Sequence, residues 1–379
     1  MKQYRIEEIC EVISGGTPST KVANYWNGDI IWLTPKDLSN TTTKWISRSS
    51  NKITKDGLDN SAARMLPINT VLLSSRAPIG YLALAGKQLC TNQGFKSMIC
   101  NTNYILPEYL YYYLHIKVEE LNSISTGSTF KELSSSLLKN YVVSIHDLTT
   151  QQHIVDILGS IDEKIENNEL LIQKIEEKIL LEYDRINTFE PLSEAVMSDC
   201  FDITIGKTPP RKESHWFTQN STDVKWLSIS DLGKSSVFCF DTSERITPEG
   251  ISKYNVKVVP KNTVVLSFKL TVGKVAITGC DMATNEAIAH FNSSNHCLLE
   301  YLYCYLKRYN FDTLGNTSSI ATAVNSKTIK AMHFFIPDDT VLENFHHKML
   351  PLFENNRQLL IENQKLKELK QLYLKKFFG

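Results

Sequence analysis

The chain has 379 residues, 42% of them hydrophobic and 22% charged, so it is too long for one ordinary domain and fits two or three, each able to bury a normal core. Its 41 basic residues balance 41 acidic ones, which weakens the case for a uniformly basic, free-standing DNA binder and leaves a locally basic one open. The eight cysteines are scattered without a Cys-x-x-Cys pair, an arrangement that speaks against zinc and a disulfide framework and for a reducing, cytoplasmic setting. No apolar run approaches the roughly 18 residues that a bilayer span needs. The N-terminal "MKQYRIEEICEVI" has no apolar signal core, so neither a membrane nor secretion is expected.

In chain order, the first segment to stand out is residues 14–38, "SGGTPSTKVANYWNGDIIWLTPKDL": a Gly-Gly-Thr-Pro turn, an aromatic pair and a short apolar strand. Short β-branched runs follow, "TVLLS" and "YLALAG", and read as strands. "LPEYLYYYLHI" reads as an amphipathic helix, with Tyr111–Tyr113 in or near the core rather than as a base-stacking platform. From Ile154 the positions Leu158, Ile161, Ile165, Asn168, Ile172, Ile175, Ile179, Glu182 and Ile186 alternate spacings of four and three, a heptad seam.

The pattern then begins again. Thr208-Pro209 pairs with Thr17-Pro18, Trp216 with Trp26, Trp226 with Trp32, and Asp231-Leu232 with Asp37-Leu38. Over residues 53–95 the offset to the second copy holds at 193: "ITPEGI" answers "ITKDGL", "VPKNTVVLS" answers "LPINTVLLS", and "ATNEAI" answers "CTNQGF". A domain-sized period marks a duplicated domain, not a solenoid. A second seam closes the chain: Phe345, Met349, Leu352, Asn356, Leu359, Asn363, Leu366, Lys370, Tyr373 and Phe377. A polar residue in an apolar seam fixes register at a cost in stability, which gives Asn168 and Asn356 that role.

These elements predict an α+β chain: two similar mixed, β-rich domains separated by two long helices that pair as an antiparallel coiled coil with a pseudo-two-fold relation. The expected boundaries are 1–148, 149–188, 189–338 and 339–379. Two like heads on a rod suit a target with two spaced half-sites, and duplex DNA repeats one face about every 34–36 Å. Diverged heads would read different half-sites, so the full site would be asymmetric.

The motifs "SGGTPS…YWNGDIIWLTPKDL", "SSRAPIGYLALAG", "CTNQGF", "GSTFKELSSSLLKNYVVSI" and "QQHIVDILGSIDEKIENN" together resemble the specificity subunits of type I restriction–modification systems, over essentially the whole chain. The resemblance implies a non-catalytic subunit that binds a bipartite site in double-stranded DNA, each target-recognition domain reading one half while the helices set the spacer. It implies two docked methyltransferase (M) subunits that modify adenine and restriction (R) subunits that cleave unmodified DNA. S-adenosylmethionine, ATP and magnesium would belong to those partners, leaving this chain with no cofactor and no metal. The second copy departs from the pattern at "GKTPPRK" and "ATNEAI".

The residues themselves offer no catalytic set. "TPPR" lacks the acidic or amide residue and the aromatic of an adenine-methyltransferase motif, and "GSTFK" lacks the second glycine of a phosphate loop. His346 and His347 are adjacent and do not share a helix face as a metal pair would. Asp162-Glu163-Lys164 reads as a solvated helix face.

For DNA contact, the Thr-Pro loops supply Thr17, Ser19 and Lys21 in one copy and Lys207, Thr208, Arg211 and Lys212 in the other. The alternative for these loops is a purely structural turn. Arg76 and Lys269 occupy matched positions suited to a phosphate or to a salt bridge. Lys36 and Lys234 lie in or after matched loops, where Asp37 and Asp231 read as caps. Ser128 and Lys131, with Ser318 and Ser319, lie in polar loops before the closing strands. The four matched tryptophans read as core. The competing functions are a self-contained enzyme, opposed by the missing motifs, and a scaffold binding proteins through two like domains.

Overall fold

The computed structural model describes residues 1–39, 43–126, 131–314 and 324–379. The chain divides into two compact units, Met1–Asn167 with Lys365–Gly379, and Asn168–Gln364. Each unit therefore holds one copy of the repeat together with a segment of both long helices, and neither helix forms a unit of its own.

In the first unit a five-stranded sheet runs in the order Cys10–Ser14, Phe95–Cys100, Val71–Ser75, Ile79–Ala85, Trp45–Ile46, antiparallel except for the last pair. A three-stranded sheet, Asn51–Ile53, Trp26–Leu33, Cys90–Thr91, lies in the same unit, and Lys2–Arg5 pairs with Val142–Ile145. The central strands Val71–Ser75 and Ile79–Ala85 are apolar on both faces, as a sheet covered on both sides requires. One cover is the helix Pro107–Ile124, whose Tyr109, Tyr111, Tyr112 and Tyr113 are buried, so the tyrosine run is core.

The second unit repeats this order. Its five-stranded sheet runs Asp202–Ile205, Ile288–Asn292, Val264–Ser267, Val275–Thr278, Phe238–Cys239. Its smaller sheet has five strands, because Trp26–Leu33 of the first copy is answered by two strands, Phe217–Thr218 and Val224–Leu227, and because Val258–Val259 extends what is a lone bridge between Leu66 and Leu89. The 193-residue offset appears in the backbone too. Asn69 and Asn262, Ala77 and Leu270, and Gly80 and Gly273 all take positive φ.

One sequence pairing is off by a residue. Trp26 pairs across the sheet with Ile53, and the equivalent partner of Ile246 is Phe217, not Trp216. Trp216 instead matches Tyr25: each carbonyl accepts from the threonine that opens the next helix, Thr54 or Thr247. The offset is 191 at both Thr17/Thr208 and Tyr25/Trp216 and becomes 194 at Trp32/Trp226, so the inserted residues follow Phe217 and the like letters Trp26 and Trp216 are not equivalent positions. Trp32 and Trp226 are buried, whereas Trp26 and Trp216 are only half-buried at the rim.

The long helices span Leu148–Phe189 and Asp339–Phe378. The second passes through Pro351 without ending. Within each unit they run antiparallel. In the second unit Glu182 meets Lys348 and Asn168 meets Asn363; in the first Asp162 meets Lys370 at 2.5 Å. Asp162 is thus no solvated acid: it is 7% exposed and also accepts from the Tyr112 hydroxyl at 2.6 Å. Glu163 and Lys164 are exposed. The two seam asparagines differ. Asn168 donates to Asn363 and to Glu362, both at 2.8 Å, whereas both amide atoms of the fully buried Asn356 lack a hydrogen-bond partner.

Candidate nucleic-acid interface

In each copy the Thr-Pro loop crosses the loop that carries Thr-Asn. The crossing is so close that a Cβ on Gly15 would lie 2.0 Å from the Asn92 carbonyl oxygen, and one on Gly206 would lie 2.1 Å from Thr284 Oγ1. The Gly16 amide donates to the Thr91 carbonyl and the Lys207 amide to that of Thr284, both at 2.9 Å. A buried indole holds each loop from below: Trp32 Nε1 donates to the Gly16 carbonyl at 2.9 Å, Trp226 Nε1 to that of Lys207 at 3.4 Å. Asn92 and Asn285 turn the second loop by accepting from the amides of Gly94 and Ala287.

Thr17 and Thr208 are used inside this crossing. Thr17 donates to the Gln93 side chain and Thr208 to the Glu286 carboxylate, with Asn285 Nδ2 donating to Thr208 at 3.2 Å. These bonds knit the two loops together and fix where both hydroxyls sit on the exposed rim of the crossing. Gln93 and Glu286 are the pair that sequence reasoning passed over. The signal was the "TNQG" and "TNEA" mismatch, which exchanges a donor-acceptor amide for an acceptor-only carboxylate at one matched position.

The basic candidates divide. Lys21, Lys36, Lys207, Lys212, Lys234 and Lys269 are exposed, and none makes an ion pair among the described residues. Lys21 and Lys212 follow the two Thr-Pro turns at equal distance. Ser19 is exposed, and its carbonyl accepts from Trp26 Nε1 at 3.1 Å.

Arg211 is tied down. Its guanidinium forks onto Glu244 at 2.7 and 2.9 Å and stacks on Phe217 and Trp226, 3.9 and 4.6 Å from the ring centroids. It braces the loop instead of offering a free fork. Arg76 shares Glu132 with Lys96, at 3.9 and 3.8 Å. Burial holds the Lys96 ammonium below its ordinary range despite the Glu132 carboxylate. Lys131 donates to the Asn122 carbonyl at 3.4 Å. Ser128, Ser318 and Ser319 lie outside the described residues.

A third matched feature is the hairpin after the central strand. Ser74 takes the Tyr81 amide and donates to the Pro78 carbonyl; Ser267 takes the Lys274 amide and donates to that of Thr271. At the tip Ala77 has φ 53° and Leu270 φ 63°. A non-glycine residue in that region costs on the order of 1–2 kcal/mol. Leu270 is also 96% exposed, beside Lys269. The matched aspartates are fasteners. Asp37 accepts four hydrogen bonds from Thr34 and Ser50, which outweigh its burial and hold its carboxyl below the usual range; Asp231 caps its helix through Ser228 and also takes the Ser243 hydroxyl.

The second copy carries a buried histidine beneath the crossing. His290 bonds Thr204 through Nδ1 at 3.0 Å and Thr284 through Nε2 at 2.6 Å, and burial pushes its pKa down to about 4.

Residues 1–177 and 195–371 match the family described as the type I restriction modification DNA specificity domain. The chain is 32% identical to the type I restriction enzyme MjaIX specificity subunit of Methanocaldococcus jannaschii, over 99% of this chain and 92% of the relative. It is 22% identical to the HindI specificity subunit of Haemophilus influenzae, over 72% and 77% of the two chains. The fold is similar to that of the type I restriction–modification S subunit from M. genitalium, with TM-score 0.58 and 15% identity, covering 100% of this chain and 96% of that one.

Proposed function

Because the chain belongs to the type I restriction–modification DNA specificity family, and is a specificity subunit with two recognition domains, we propose that each domain reads one half of a bipartite, asymmetric site in double-stranded DNA. The observation that carries this reading is one loop framework, repeated, with exchanged side chains at its outer positions. Gly15 and Gly206, Trp32 and Trp226, and Thr17 and Thr208 hold the same crossing in both copies. At its edge the matched positions differ: Gln93 in the first copy corresponds to Glu286 in the second, Arg76 to Lys269, and Ala77 to Leu270. A framework kept while its edge chemistry changes is what two different half-sites require. The unpaired lysines Lys21, Lys36, Lys212, Lys234 and Lys269 supply phosphate contacts, which reconciles a neutral chain with a polyanionic partner.

In this reading the subunit is not itself an enzyme. It directs two adenine methyltransferase subunits, which dock along the long helices, and restriction subunits that join them in the cytoplasm. The methyl donor, ATP and magnesium belong to those partners. The helix pair sets the spacer between half-sites, and Asn168 with Asn363 sets its register.

Mapping genomic N6-methyladenine in cells that co-express the chain with its methyltransferase partner tests the proposal. The expected result is a split motif with two unlike halves and a fixed gap. A continuous motif, or methylation indifferent to this chain, would overturn it.

A further inference from the structure

Within the second unit, one cluster of ligand-type side chains is separate from the residues considered for DNA contact. His296 and Cys297 lie in the turn between the strand Ile288–Asn292 and the helix Leu298–Arg308, and His346 lies near the start of the C-terminal helix. Their ligand atoms all fall within 4.8 Å of one another. Cys297 and His346 are buried and His296 is exposed. The turn is built: Asn295 Oδ1 accepts the Cys297 amide at 3.0 Å, and Ser293 Oγ accepts that of Asn295 at 3.1 Å.

The imidazole of His346 is aimed by a second residue. Its Nδ1 lies 2.8 Å from Glu300 Oε2, and Glu300 is fully buried. A carboxylate oxygen placed against Nδ1 engages that nitrogen and leaves Nε2 as the ligating atom. The His346 ring faces His296, with centroids 5.3 Å apart. Glu300 Oε1 has no hydrogen-bond partner, so this buried acid is only half satisfied by protein. A carboxylate behind a histidine is the arrangement that orients and strengthens a metal-ligating imidazole.

We propose that Cys297, His296 and His346 bind a zinc ion, with Glu300 positioning His346. A thiolate and two imidazoles suit zinc and exclude calcium and magnesium, which take oxygen ligands. Zinc bond lengths put tetrahedral donor atoms about 3.5 Å apart. The remaining approach falls to the exposed His296 ring, which makes no hydrogen bond among the described residues.

Such an ion pins the end of the large sheet to the C-terminal helix within this unit. The duplicated fold does not need it. The first copy begins the matching helix with "ILPEY" where the second has "CLLEY", so Tyr104 and Ile105 stand where the second has His296 and Cys297. Scattered cysteines and adjacent histidines hid the set in the sequence, because the ligands come from one turn and a distant helix.

The test is metal titration of the purified full-length chain, stripped of metal, with zinc in competition with a chromogenic chelator and with cobalt followed by absorption. One ion per chain is expected, with a thiolate-to-cobalt charge-transfer band and the d–d bands of four-coordinate geometry. Cys297→Ser removes the thiolate band and Glu300→Gln weakens zinc binding about 10–100-fold. Cys280→Ser leaves both unchanged. His296→Gln, at an exposed position, keeps the fold but loses the rise in melting temperature that zinc gives the wild-type chain. No stoichiometric zinc, or zinc binding unchanged in His296→Gln and Cys297→Ser, would overturn the site.

Discussion

Gly15 and Gly206 show how a single atom decides the loop crossing in each copy. A Cβ at either position would sit about 2 Å from the opposing loop, well inside any van der Waals contact, so Gly15→Ala must push the two loops apart. Gly15→Ala is expected to abolish recognition of one half-site while the purified chain keeps its far-ultraviolet circular dichroism; Gly206→Ala does the same to the other half. Methylome mapping of each variant reads the outcome. At the lysines the expectation is graded. Lys21→Ala and Lys212→Ala each weaken DNA binding uniformly across sequences and lower the slope of log affinity against log salt by about 1, measured by fluorescence anisotropy. Leu270→Ala, by contrast, changes base preference rather than salt slope, because an exposed apolar side chain acts on base edges or stacks, not on phosphates.

His290 gives a pH dependence with a definite sign. Its folded pKa is pushed down to about 4 by burial, from an ordinary 6.5. Between those values the unfolded chain binds the extra proton, so stability is full above about 6.5 and falls as pH drops towards about 4. The loss amounts to about 3 kcal/mol at most. His290→Gln flattens that portion of the curve, which chemical denaturation at a series of pH values measures against wild type.

Among the elements, the long helices carry their polar residues unequally. Asn168 is paired with Asn363 and Glu362, so Asn168→Leu removes two buried hydrogen bonds and costs about 1–3 kcal/mol. Asn356 is buried with neither amide atom satisfied, so Asn356→Leu stabilises by a similar amount. Urea unfolding of the two variants should move in opposite directions. Lys370→Met leaves Asp162 buried without its cation and is the more damaging change, about 3–5 kcal/mol.

For the whole molecule, each compact unit takes a piece of both long helices. Inserting one heptad into each helix where the units divide, after Asn167 and after Gln364, keeps the apolar seam in phase. At about 1.5 Å per residue it adds about 10 Å, or three base pairs of B-DNA. The methylated motif should keep both half-sites and gain a gap longer by about three; a changed half-site would count against the helices as the spacer ruler.

The duplication was legible in the letters, because strand cores and glycine turns repeat with the residues that specify them. Ile53 and Ile246, Asn69 and Asn262, and Gly80 and Gly273 announce the same backbone twice. The heptad seams were legible for the same reason: a period of apolar residues is local information. What tertiary structure decided was every partnership between residues far apart in the chain. It gave Thr17, Thr208 and Arg211 partners within the fold, because Gln93, Glu286 and Glu244 arrive from distant parts of the chain. It buried Asp162 against Tyr112 and Lys370, slid Trp216 out of register with Trp26, and brought His296, Cys297 and His346 together behind Glu300. Periodicity along a chain specifies which face a side chain takes; only the packing of distant segments specifies what that face meets.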